Sequence, residues 1–163
     1  MFSIKNLFNP SDTLKQTQRL LKIREKINNL DTEQLKKIFE KNSSYFIISL
    51  SQDLSCNTVF DDNLKDFFSK YDTVSCVGHT SLFLSKNCIE QKDDTIFIGR
   101  DNIGLIFVKE KSSQIYTKSY YYNTINSYGD NIYKILVEKF ALNTIALSVS
   151  EKEVDNWFNN HLI

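Results

Sequence analysis

A chain of 163 residues fits one domain and can bury a core without disulfide or metal staples. Hydrophobic residues at 41%, among them 12 Phe, exclude a disordered chain, while 4 Gly and 1 Pro exclude collagen-like and linker-rich architectures. The 20 Lys/Arg and 20 Asp/Glu cancel, unlike the dense basic stripe of a nucleic-acid-binding chain, and apolar runs such as Leu105 to Val108 are too short to cross a bilayer.

The opening MFSIKNLFNP lacks the sustained apolar stretch and small-residue cleavage site of a secretory signal; a peripheral amphipathic anchor is the alternative. Thr13 and Gln16 have capping-box spacing and predict a helix over 13–28, where Leu14, Leu20, Leu21, Ile23 and Ile27 interleave with Lys and Arg. Asp31 and Gln34 repeat the pattern before Leu35, Ile38 and Phe39, predicting a second helix over 32–41; one bent helix is the alternative. Residues 1–41 hold nine Lys/Arg against five Asp/Glu and the remainder eleven against fifteen, an asymmetry that can orient a charged partner.

Tyr45 to Leu50 has the β-branched and aromatic content of a strand. After a polar stretch, Asp61 or Asp62 caps a helix over 62–71 whose Leu64, Phe67, Phe68 and Tyr71 share one face. Short apolar segments follow at Val74–Val77 and Ser81–Leu84, then a charged loop from Lys86 to Asp94. Residues 95–99 and 103–109 read as a β-hairpin in which Gly99 and Gly104 permit a bulge or a positive φ. A strand at 114–118, a helix at 130–141 and a capping box at Ser150 and Glu153 opening a terminal helix complete the chain; 145–149 is either a last strand or the approach to that helix. The pattern predicts a single α+β domain, mainly antiparallel sheet flanked by N-terminal and C-terminal helices, with a helical part at 1–44, sheet and helices at 45–142 and a C-terminal helix at 143–163.

Groups with catalytic potential are sparse. Cys56, Cys76 and Cys88 are an odd number at irregular spacing, which predicts no disulfide framework and a reducing, cytoplasmic residence. Cys76 and His79 form a C-x-x-H pair, but a zinc site needs further ligands from Cys88, Cys56 or His161. Asp61, Asp62, Asp66 and Asp72 cluster on one helix, where capping and solvation account for them and an acidic docking patch is the functional alternative. Five of the eight tyrosines lie between Tyr116 and Tyr128, and rings on alternate strand faces cannot all enter the core.

The helix ending LKDFFSKYDT, the run Phe97-Ile98-Gly99-Arg100-Asp101-Asn102-Ile103-Gly104 and the helix after Tyr128 together resemble the SUKH superfamily over residues 60–142. Thr73 stands where that family commonly has glycine, and the last 20 residues extend past its usual end. The resemblance implies an α+β immunity protein that binds a cognate bacterial toxin domain and occludes its active site, with no cofactor, no nucleic acid and no membrane. Asp93, Asp94, Arg100, Asp101, Tyr120, Tyr121 and Tyr122 are the candidate partner-binding residues. The alternatives are a small Cys/His-based enzyme or metal-binding module, and a structural adaptor or secretion chaperone.

Overall fold

The computed structural model describes residues 10–52, 60–78, 80–86, 90–145 and 151–161. Helix α1 (Pro10–Asn28) is already running at Pro10, so Thr13 lies in its first turn and is not its cap. Helix α2 (Thr32–Lys41) opens on the expected capping box: Gln34 N donates to Asp31 Oδ1 at 2.8 Å and Asp31 N donates to Gln34 Oε1 at 3.0 Å. A 3₁₀ turn at Ser43–Tyr45 then delays strand β1 to Ile47–Leu50.

Asp61 caps α3 (Asp62–Lys70) by accepting from Leu64 N, and the chain passes directly into β2 (Tyr71–Cys76). Strands β3 (Leu82–Ser85), β4 (Glu90–Lys92), β5 (Thr95–Asp101), β6 (Gly104–Lys109), β7 (Ile115–Ser119) and β8 (Ile125–Gly129) follow. Two of these correct the sequence reading. Part of the charged loop is strand β4, fixed by pairing with the first half of β5 while β3 pairs with the second half. Ile125–Gly129 is strand β8, recruited by β7 although its side chains are mostly exposed. Helix α4 (Ile132–Ile145) is longer than expected, and α5 (Glu151–His161) closes the described chain. Of the 145–149 alternative, Ile145 is the last residue of α4, while 146–149 lie outside the described residues, as does Ser150.

The strands form one antiparallel sheet in the order β1-β2-β3-β5-β6-β7-β8, with β4 beside β5. Its inward face supplies Val74, Leu82, Leu84, Ile96, Ile98, Ile106, Val108 and Ile115 to a single core cluster that also takes the buried residues of all five helices. The chain is thus a single α+β domain. Helix α4 is apolar nearly all round, the pattern of a helix enclosed by neighbours rather than lying on a surface. Asn131 accepts from Tyr133 N at 2.9 Å at its start, and Trp157 Nε1 on α5 donates to Thr144 Oγ1 near its end at 2.9 Å. No described helix is long and apolar enough to cross a membrane.

Ionic contacts tie the helices together around this axis. Asp66 on α3 pairs with Lys36 of α2 at 3.1 Å and with Lys70 at 3.2 Å, and accepts from Tyr133 of α4 at 3.4 Å. Burial pushes its carboxyl up, but hydrogen bonds from the two lysines outweigh that and hold it below the ordinary range. A depressed folded-state pKa gives stability that is present above the ordinary carboxylate range and lost as pH falls through it. The stability advantage of wild type over Asp66→Asn, measured by urea unfolding, is therefore expected at about pH 7 and shrinks towards about pH 3.

Gly99 sits at a register shift between β5 and β6, where a Cβ would collide with the Phe83 carbonyl of β3. Gly99→Ala is expected to cost about 1–3 kcal/mol in urea unfolding, the usual penalty of overpacking.

Candidate functional site

The sheet has a second face, and among the described residues no helix covers it. Side chains alternate across a strand, so the register predicts which residues share that face. One row crosses seven strands: Ile47, Ser75, Phe83, Arg100, Leu105, Lys118 and Ile125 are successive cross-strand neighbours. The next row holds Phe97, Phe107 and Tyr116, whose rings lie 5.8 Å and 5.4 Å apart in turn. Phe107 is buried by these flanking rings without joining the core cluster beneath.

Above the aromatic strip is an open hollow of about 440 Å³, floored by Phe97, Phe107 and Tyr116 and rimmed by Lys92, Asp93, Lys109, Lys118 and Ile125. Lys109 Nζ lies 2.9 Å from Asp94 and donates to Thr95 Oγ1 at 2.9 Å. The hydrogen bond that Lys109 donates to Asp94 Oδ1 holds the Asp94 carboxyl below the usual range. Arg100 extends over the Phe83 ring at 5.3 Å, a cation–π contact that leaves its guanidinium exposed. Lys92, Arg100 and Lys118 have no carboxylate partner among the described residues, so the face is an apolar strip with a cationic margin.

The candidate residues fall into three groups. Asp93, at positive φ in the β4–β5 turn, Asp94 and Arg100 are exposed on or beside this face. Tyr120, Tyr121 and Tyr122 form the β7–β8 turn, where Ser119 Oγ accepts from the backbone of Tyr121 and Tyr122 at 3.2 Å each. Tyr121 and Tyr122 are 79% and 73% exposed, well clear of the core. Asp101 is the correction. Its side chain is wholly inaccessible, so it cannot meet a partner.

Asp101 instead builds the turn. Its Oδ1 accepts from Ile103 N at 2.8 Å and Gly104 N at 2.9 Å, and its Oδ2 from Tyr128 Oη at 2.8 Å and Lys139 Nζ at 3.4 Å. Burial and the neighbouring charge of Asp101 push the Tyr128 phenol far up, so it stays protonated and donates. Of the four clustered carboxylates, Asp61 caps α3 and Asp66 pairs with Lys36 and Lys70, while Asp62 is exposed 3.7 Å from Lys65 and Asp72 lies on β2.

Of the thiol and imidazole groups, His79, Cys56 and Cys88 lie outside the described residues. Cys76 is buried, and burial pushes its thiol up, away from the thiolate a nucleophile needs. His161 packs against Trp157 and Phe140, and burial lowers its pKa, with the charge of Lys41 adding to the effect. No group of three or more His, Cys, Asp or Glu able to hold a metal occurs among the described residues.

The sheet face itself was missed in the sequence, because its residues come from seven separate segments and meet only once the register is known. The alternation TIFI and LIFV places Phe97 and Phe107 opposite the core face and was the available signal. No family model, no curated protein and no solved structure matches this chain.

Asp101→Asn is expected to cost about 3–5 kcal/mol in urea unfolding, since it leaves the Lys139 ammonium buried without a counter-charge. Arg100→Ala, one residue away but exposed, is expected to cost less than about 1 kcal/mol.

Proposed function

We propose that this chain is a non-enzymatic binding protein that neutralises a cognate bacterial toxin domain in the cytoplasm by covering its active site. The observation that carries the reading is the sheet face that no helix covers among the described residues, with an aromatic-floored hollow edged by exposed Ile125 and with exposed Leu105 in the same cross-strand row as Ile125. Contiguous exposed apolar surface edged by polar groups is the usual form of a protein-docking site. The SUKH resemblance supports the same reading, as does the protonated, buried state of Cys76.

Charge selects the partner. With Lys92, Arg100 and Lys118 at the margin, the matching surface is a folded protein that inserts an apolar side chain into the hollow and rings it with carboxylates. Of the two candidate carboxylates beside the hollow, Asp94 is paired with Lys109, and Asp93 remains on the rim. The tyrosine turn adds contact area at low conformational-entropy cost.

Co-expression with the product of an adjacent toxin gene should restore growth. Leu105→Asp is expected to weaken the complex by about 30-fold or more, as loss of a buried anchor does. Charge reversal at Arg100 and Lys118 should slow association at low salt far more than at high salt. Protection and affinity that survive Leu105→Asp with Ile125→Asp would rule out this face.

A further inference from the structure

We propose that the cleft between α4 and the inward end of β7 and β8 is a binding site for a small oxyanion, the carboxylate or phosphate group of a metabolite. The cleft lies on the opposite side of the sheet from the docking face and does not depend on that reading.

Its position follows from where the inward row changes character. Ile48, Val74, Leu84, Gly99 and Ile106 are cross-strand neighbours, and the row then continues as Thr117 and Asn126. The apolar core stops there. Between these strands and α4 is a cleft of about 610 Å³, lined by Thr117, Asn126, Tyr128, Lys134 and Lys139 among others. That size suits a metabolite-sized ligand.

The donors and acceptors in it do not balance. Asp101 is fully used, each oxygen accepting two hydrogen bonds. The lining carboxylate Glu138 is held by Arg24 at 2.9 Å. Lys139 has three N–H donors, and its one acceptor among the described residues is Asp101 at 3.4 Å. Thr117 is 6% exposed, and its Oγ1 has no hydrogen-bond partner among the described residues. Lys134, also lining the cleft, has no carboxylate partner there.

Buried donors without acceptors are unfavourable, and this set shares one cavity with Lys134, the lining cation that has no carboxylate partner among the described residues. A water would satisfy the Thr117 hydroxyl alone. An oxyanion satisfies the hydroxyl and supplies a counter-charge for Lys134, with acceptor oxygens enough for the remaining N–H donors of Lys139.

Isotope-labelled protein of these 163 residues, titrated with inorganic phosphate and separately with succinate, tests this at constant ionic strength against chloride. Saturable shifts at the amides of Asn126 to Gly129, absent with chloride, are expected for at least one probe, and the probe that binds separates phosphate from carboxylate recognition. Thr117→Val removes the hydroxyl at nearly constant volume and should fold at least as well as wild type. It is expected to weaken binding about 10-fold, the worth of one hydrogen bond to a charged group. Lys134→Gln, at the half-exposed rim, provides a second variant that should also weaken binding. Shifts that never saturate, that chloride reproduces, or that neither variant alters would overturn the proposal and leave the cleft to water.

Discussion

One inaccessible carboxylate fixes the geometry of this fold where sheet and central helix meet. Asp101 draws the β5–β6 turn, the β8 tyrosine and a lysine of α4 onto two oxygens. Burying an acid is costly, and it is tolerated here because every lone pair has a donor and the nearest cation is itself buried. Asp101 gives Lys139, on a helix that is apolar nearly all round, a buried counter-charge. The arrangement also sets what each side of the sheet can do. It anchors the hairpin that carries the outer aromatic strip, and it places an ammonium group at the head of the inner cleft.

The second constraint is the one-sided placement of the helices. Because the five described helices contribute to a single core on one face, no described helix shields the opposite face from water. That face has Phe97, Phe107 and Tyr116 packed ring to ring, and the Arg100 guanidinium lying over the Phe83 ring. Such a surface is stable alone and still gains from being covered. That property suits a protein whose proposed work is to bind another protein.

Much of this was legible in the amino-acid pattern. Helices α2 and α3 announce themselves by caps and by apolar residues at helical spacing, and the β5–β6 hairpin by alternation around a polar turn. Strands β4 and β8 escape such reading, because their polar residues acquire strand form only from the neighbours they pair with. Asp101 misleads for a related reason. A carboxylate in a turn is ordinarily solvated, and only the distant Tyr128 and Lys139, 27 and 38 residues further along, mark it as interior. The exposed tyrosines were the easier inference, since three successive rings cannot all point inward.

The seam between α4 and α5 carries its own optical reporter. The chain has one tryptophan, and Trp157 is largely enclosed, hydrogen-bonded to Thr144 and set against Phe140. Its emission therefore senses the docking of the last helix, while the tyrosines, spread across sheet and turns, sense the rest. Comparing the two signals during denaturation distinguishes a C-terminal helix that detaches early from one that melts in concert with the body of the protein.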